Sequence, residues 1–322
     1  MADATLNASK KQAGVAKIEE HDLIEPLTIR QIISRRFLRH RMAVFGLVML
    51  VAVMLYVTAG AFFYTESQGN RTNLLNKGTP PSEAHPFGTD LVGRDVFIRS
   101  IYGGQISIAI ALVSVAISIS VGTAIGVISG YYGGLMDGLL SRVTEAFLAI
   151  PPLILLLVLS SVLTRNASTT VILGREVSAT VVWIVLIIGL TSWMQLSRIV
   201  RAQVLSLKEQ EFIVAARAMG VGPFGIIVRH LLPNLVAPIV VTATLAIGTA
   251  IITEAYLSFL GFGVQPPTAT WGNMLTGAQD RIDSGMWWMW VTPGFFIVVT
   301  VLAFNFIGDG VRDALDPRAI NA

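Results

Sequence analysis

The 322-residue sequence contains no cysteine. That absence excludes a disulfide framework, a thiolate metal site and a cysteine nucleophile. Charge is scarce too: Asp, Glu, Lys and Arg make up 13% of the residues, roughly half the share of a soluble domain. The lysines are Lys10, Lys11, Lys17, Lys77 and Lys208, and none is followed by Ser or Thr. A phosphate-cradling loop ends in Gly-Lys-Ser/Thr because its lysine must reach the phosphates, so this chain lacks that type of ATP site. Its histidines (His21, His40, His85 and His230) form no His-Glu-x-x-His pair, and there is no Gly-x-Ser-x-Gly elbow. No pair of carboxylates shares an apolar stretch at useful spacing. Zinc, serine-nucleophile and acid–base catalysis therefore lack their residues, and an enzyme reading is set aside.

What is abundant is apolar sequence: 53% of residues, with a mean hydropathy of +0.68. Stretches free of Asp, Glu, Lys and Arg run over 42–65, 100–136, 146–164, 177–197, 230–253, 255–279 and 284–308. A membrane-spanning helix needs about 20 mostly apolar residues. Six stretches qualify after trimming, at 42–64, 106–129, 145–164, 178–198, 232–254 and 286–308. The seventh, 255–279, carries Gly261, Gly263, Pro266, Pro267 and several polar residues; it is expected as an ordered loop that dips toward the membrane. Strands of a membrane barrel would alternate in polarity over about 10 residues, and Leu148–Leu163 and Thr180–Leu190 do not alternate. The chain therefore reads as an all-α membrane protein with six transmembrane helices.

Orientation follows from the Lys/Arg bias. With both termini cytoplasmic, the inner segments hold 16 basic residues and the outer ones 7. The densest group, Arg35, Arg36, Arg39 and Arg41, ends where the first apolar window begins. That placement suits a membrane-flanking anchor in a lipid bilayer rather than a nucleic-acid patch. Residues 1–25 read as a mobile polar tail, and 26–41 as a basic amphipathic helix on the inner surface. An external loop, 65–105, follows the first span. Residues 106–308 form a five-helix core, and 309–322 a cytoplasmic tail. No cleavable signal peptide is visible.

Long connections between packed helices tend to carry function. The inner one, Arg201–Asn234, has strong helix formers without Gly or Pro over 201–219. Gly220 then sits where a helix C-terminal glycine belongs, and Val221-Gly222-Pro223 follows as a turn. A second helical run from Phe224 ends at Leu232-Pro233. Two helices with a tight glycine corner are expected, and Ala215 and Ala216 would give one side a shallow surface for close packing.

These residues resemble the cytoplasmic signature of binding-protein-dependent ABC importers, E-A-A-x3-G-x9-I-x-L-P. Ala215, Ala216, Gly220, Leu232 and Pro233 match it; Val214 replaces the Glu and His230 the Ile. Residues 85–104, 257–275 and 301–318 look like the dipeptide/oligopeptide permease family, in its second membrane subunit. The resemblance implies a type I importer fold and a bacterial or archaeal cytoplasmic membrane. It implies half of a translocation pathway for peptides, with nickel chelates or sugars as the alternative cargo. It also implies as partners a homologous permease subunit, two cytoplasmic ATP-binding subunits that hold ATP and Mg, and an external substrate-binding protein; the chain itself would hold no cofactor and bind no nucleic acid. The cytoplasmic coupling loop, 199–231 running on to the signature's Leu232 and Pro233, would seat on an ATPase with Ala215, Ala216 and Gly220 as close-contact points and Arg217 and Lys208 at the polar rim.

The outer segment with Gly88, Asp90, Gly93, Arg94 and Asp95 is read either as a platform for the binding protein or as a capped connector, with Asp95 starting a short helix. Glu254 is either a polar group in the pathway or its gate, or an interfacial helix-end charge, and the latter is preferred. Asp137 and Glu145 are read as interfacial. Pro151-Pro152 should bend the third span and shape the pathway. Trp287, Trp288 and Trp290 suit an outer aromatic belt. A secondary transporter would place ionisable groups mid-membrane or show inverted repeats, and neither is evident.

Overall fold

The computed structural model of the protein describes residues 28–164, 168–172, 175–276 and 284–315. The expected tail at 1–25, Arg165, Arg281 and the end of the C-terminal tail lie outside these residues. Among the described residues five helices are long and apolar enough to cross a membrane, and a bent helix pair has the length and composition of a sixth span or a re-entrant segment.

The amphipathic helix α1 (Ile29–Arg39) starts at Thr28, whose hydroxyl and backbone exchange hydrogen bonds with Gln31 in a capping box. His40 interrupts the helix with an extended backbone (φ −80°, ψ 97°), and its Nδ1 caps the next helix by accepting from Ala43 N–H at 3.1 Å. That next helix, α2 (Arg41–Phe63), is the first span. A short outer helix, α3 (Glu66–Asn70), follows.

The second span begins much earlier than its apolar window. Asp95 Oδ1 accepts from Ile98 N–H at 2.9 Å and starts α4, which runs unbroken over Val96–Tyr132. The short helix expected after Asp95 is therefore the outer end of the span itself. At about 1.5 Å per residue this helix is ~55 Å long, well beyond a hydrocarbon core of about 30 Å. Its outer turns stand among the external loops.

The third span is not one straight helix. Helix α5 (Gly134–Ala149) and helix α6 (Pro152–Leu163) meet at a bend of 86°. Ile150 and Pro151 are both extended there. A residue preceding proline is pushed out of helical geometry, and neither proline has an N–H to continue the ladder.

An unforeseen hairpin follows, so the chain is mostly but not wholly helical. Strand β1 (Thr169–Ile172) pairs antiparallel with β2 (Arg175–Ser178), Thr169 opposite Ser178. The fourth span is α7 (Thr180–Thr191), continued after a kink at Ser192 by α8 (Trp193–Leu207). The inner connection holds α9 (Glu211–Ala218) and α10 (Pro223–Ile226). A π turn (Ile227–Leu231) leads into the fifth span, α11 (Leu232–Phe259). A short outer helix, α12 (Trp271–Met274), precedes the sixth span, α13 (Trp288–Leu315).

Helix α4 is the central post, packed on α7, α8 and α11, while α13 packs on α2 and α11. Helices α4 and α8 approach closely. A Cβ added to Gly122, Gly126 or Gly130 would lie 2.8 Å from Trp193 O, 2.6 Å from Ser197 O and 2.8 Å from Val204 Cβ respectively. Glycines four residues apart form a groove along one helix face, into which α8 sinks.

Candidate functional site

The inner connection is an elbow held by the protein's own core. Helix α8 ends at Leu207, and the chain turns at Lys208–Gln210 before α9 begins. The single helix expected over 201–219 is thus two. Lys208 causes part of the turn: its Nζ donates to Gly130 O at 3.1 Å, at the inner end of α4. Lys208 is therefore an internal tie rather than a rim charge. Helix α9 closes with a Schellman cap. Val221 N–H bonds Ala216 O at 3.1 Å and Gly220 N–H bonds Arg217 O at 3.0 Å, with Gly220 at φ +82°.

The second helical run does not stop at Leu232-Pro233. It passes through the π turn, in which Leu232 N–H reaches Ile227 O, and Asn234 Nδ2 donates to His230 O at 2.7 Å. These bonds absorb the donor that Pro233 lacks, so the elbow and the fifth span form one continuous lever.

Ile213, Ile226, Leu231 and Leu235 are buried against Val127 of α4 and Leu196, Val200 and Val204 of α8. Ala216 is 1% exposed and belongs to this inward side, so the shared outer surface expected of Ala215 and Ala216 is split. Ala215 and Pro233 are exposed and Leu232 is half-buried. Arg217 is exposed and lies over the Tyr131 ring at 5.4 Å. Large apolar side chains are exposed along the elbow, among charged ones: Met219 is 78% exposed and Phe224 79%, and Phe212 and Val214 are exposed on α9. Sequence inspection missed these four side chains, although large apolar residues in a charged connection are themselves the signal. A Cβ on Gly220 would meet nothing within 4 Å. The glycine is required by its backbone angle, and the corner is open within this chain.

A cavity of about 440 Å³ opens among α4, α5, α6, α7, α8 and α11. Its wall is apolar with scattered neutral polar groups, among them Ser118, Gln195, Thr249, Thr253 and Tyr256. A second, more polar cavity of about 500 Å³ continues toward the inner end along α4 and α8, with Arg198, Arg201 and Glu145 on its wall. Leu148, just before the 86° bend, lines both. Neither Glu254 nor Pro151 lines the first, apolar cavity, but Ile150 and Pro152 do. Pro151 contributes the bend.

Ion pairs position the arm that carries Leu148. Asp137 of α5 takes Arg201 Nε at 2.5 Å and Nη2 at 2.7 Å, and also accepts from the hydroxyls of Ser129 and Ser141. It is thus a structural clasp rather than the interfacial charge expected. Glu145 pairs with Arg142 in the open, where both side chains are more than half exposed.

Residues 122–321 match the family described as "Binding-protein-dependent transport system inner membrane component", and residues 28–81 match "N-terminal TM domain of oligopeptide transport permease C". The chain belongs to the binding-protein-dependent permease family. A Brucella suis protein bearing a provisional peptide-permease name is 44% identical over 287 residues, covering 89% of this chain and 90% of that protein. The oligopeptide transport system permease protein OppC of Bacillus subtilis is 37% identical, with 88% of each chain covered. The dipeptide transport system permease protein DppC of the same organism is 36% identical, covering 88% of this chain and 84% of its own. A membrane chain of the MetNI methionine ABC transporter, solved in inward-facing conformations, shares the fold with a TM-score of 0.50 at 23% identity, over 66% of this chain and 95% of its own. The resemblance carried by the motifs holds at the level of the family, and the protein is a membrane permease subunit of an importer.

In this permease the outer loop is built from within. Gly88 and Gly93 adopt φ of +70° and +76°. A Cβ on Gly93 would collide with the Asn73 carbonyl. Asp95 pairs with His85 Nδ1 at 2.8 Å. Gly88, Gly93 and Asp95 are buried within this chain and shape the loop, while Asp90 and Arg94 are half-buried. Trp288 is 6% exposed and donates from Nε1 to Thr89 O at 3.1 Å, whereas Trp287 and Trp290 remain exposed. Trp288 thus locks the loop, and only Trp287 and Trp290 of the three are left at the surface.

Glu254 is not a helix end. Helix α11 continues past it to Phe259, and the carboxyl is fully buried. Ser107 Oγ of α4 donates to it at 3.1 Å and Ser258 Oγ at 2.7 Å. Ser107 Oγ also accepts from Trp271 N–H at 3.1 Å. Glu254 thus joins two spans to the 255–276 segment, and this partnering makes a carboxyl tolerable away from water. On the same outer side Arg175 binds Glu66 at 2.8 Å and Gln105 at 2.8 Å, tying the hairpin to α3 and α4.

Proposed function

We propose that this permease forms half of an ATP-driven pathway for peptides in a bacterial cytoplasmic membrane, with both termini inside. The names of the Bacillus subtilis relatives support oligopeptides and dipeptides as cargo. The cavity with an apolar wall and neutral polar groups suits chains of varied side-chain chemistry and would select weakly among them. Selection then rests with an external binding protein. A homologous permease completes the pathway. Two cytoplasmic subunits hold ATP and Mg and drive it.

The observation that carries this reading is the elbow. Met219 and Phe224 are exposed apolar side chains on either side of Gly220, with Phe212 and Val214 exposed on α9, on a corner anchored to α4 and α8. Large apolar side chains clustered on a surface facing water mark a protein contact. Seated in an ATPase groove, the corner transmits a rigid-body movement through the π turn to α11 and through the α8 contact to α4. Gentle-detergent purification tests the whole assembly. Recovery with one homologous permease and two P-loop ATPases is the expected result, and recovery alone or as a homo-oligomer refutes it. Phe224→Asp should leave the chain in the membrane while the ATPases are lost; full ATPase recovery with that variant removes Phe224 from the coupling site.

A further inference from the structure

We propose that the polar cavity under the outer loop is a socket for a carboxylate, presented as an Asp or Glu side chain by the external binding protein. This rests on the importer reading above. The cavity measures about 240 Å³ and lies between the Asp90–Arg94 loop, the first turns of α4 and the Asn273–Thr276 segment. Sites that enclose a small molecule span roughly 300–1,000 Å³, so this one suits a single side-chain group rather than a whole peptide.

Its wall carries two guanidinium groups, Arg94 and Arg99, against one carboxylate, Asp90. That carboxylate is already engaged. Asp90 Oδ2 accepts from Arg94 Nε at 2.6 Å, and Oδ1 accepts from the backbone N–H groups of Val92 and Arg94 at 3.0 and 2.9 Å. Glu66 is the next acid, and it is held by Arg175. Asn273 spends its amide N–H groups on Val264 O and Thr268 O, and Thr276 donates to Ser258 O.

Arg99 is the exception. It is 4% exposed, and among the described residues its one hydrogen bond runs from Nη1 to the neutral Asn70 Oδ1 at 2.6 Å. A buried cation with no ion pair is costly to maintain, and Arg99 lines the cavity. Paired, coplanar N–H groups on guanidinium match the two oxygens of a carboxylate. Among the described residues, the socket's wall thus has two guanidinium groups against one carboxylate, and that carboxylate is taken by Arg94. It opens on the outer side, beside the loop that a docking protein would meet first. An acidic side chain of that protein would enter as the missing partner, so docking would be sensed at the base of α4, the helix that runs through to the elbow.

The test uses the complete transporter in nanodiscs and its external binding protein loaded with peptide. Arg99→Gln should weaken docking at least tenfold and flatten its salt dependence, and Arg99→Lys should recover part of the loss. Thr276→Glu, which supplies the socket with its own carboxylate, should weaken docking as well. Among Asp/Glu→Ala variants of the binding protein's docking face, one should lose affinity with wild-type transporter and lose no more with Arg99→Gln. Unchanged affinity for Arg99→Gln in an assembled complex overturns the proposal. If that variant does not assemble, unchanged affinity for Thr276→Glu overturns it. Normal docking combined with reduced uptake of peptides that have a free C-terminus, and not of amidated ones, would place the carboxylate on the cargo and also overturns it. A wild-type complex that neither docks the binding protein nor hydrolyses ATP refutes the importer reading itself.

Discussion

The α4–α8 groove offers the sharpest test of how this bundle is held together. Gly126→Ala adds a single methyl group, yet that carbon would lie 2.6 Å from Ser197 O and 2.7 Å from Val200 Cβ. Neither neighbour can swing aside: one is a backbone carbonyl and the other a branched carbon next to its own helix. The helices must separate by several tenths of an ångström along a contact that continues through Gly122 and Gly130. Overpacking of this kind costs about 1–3 kcal/mol. The control is Gly138→Ala on α5, where the added carbon meets nothing within 4 Å; relieving a helical glycine should be neutral or stabilise by about 0.5–1 kcal/mol. Thermal unfolding of the two purified variants, followed by tryptophan fluorescence in one detergent, checks the pair. Gly126→Ala should melt several degrees below the wild type and Gly138→Ala at or above it. If the two variants melt together, the contact is not the rigid seam that the elbow mechanism needs.

Other outcomes follow from the same geometry. Gly220→Val places a β-branched residue at φ +82° and should cost about 1–2 kcal/mol locally, with ATP hydrolysis no longer raised by loaded binding protein; Gly220→Asn should be milder because Asn tolerates that angle. Equal coupling in both would remove the cap from the mechanism. Asp137→Ala strips Arg201 of its clasp and should lower stability by about 1–3 kcal/mol, moderated by the 37% exposure of the Arg201 side chain; a melting curve matching the wild type would refute the clasp. Glu254→Ala leaves the Ser107 and Ser258 hydroxyls without their shared acceptor and should cost about 1–3 kcal/mol. Glu254→Gln retains an acceptor and should lose less, so equal losses would argue against a hydrogen-bonding role.

Much of this architecture is legible in the sequence because membrane insertion imposes a simple code. A helix in hydrocarbon must satisfy its backbone internally and shed charge, so charge-free windows located the spans. The code misplaced their ends for the same reason. Window edges were drawn at charged residues, yet Asp137 and Glu254 stand inside helices because Arg201, Ser107 and Ser258 supply partners that a one-dimensional reading cannot see. Arg99 likewise lies within α4, near the outer surface. The hairpin at 169–178 was hidden because its strands are only four residues each.

The elbow divides in the same way. Gly220 and the flanking helices were readable, since a left-handed cap needs glycine and a turn needs proline. Which alanine faces outward was not readable, because the inward side is chosen by where Val127, Val200 and Val204 lie. Local chemistry along the chain determined the number of crossings, the break at Pro151 and the glycine corner. Only the tertiary structure decided which polar groups are paired, that Met219 and Phe224 are exposed at the elbow, and that Arg99 has no ion-pair partner among the described residues. Pairing and exposure depend on residues distant in sequence, and no local pattern encodes them.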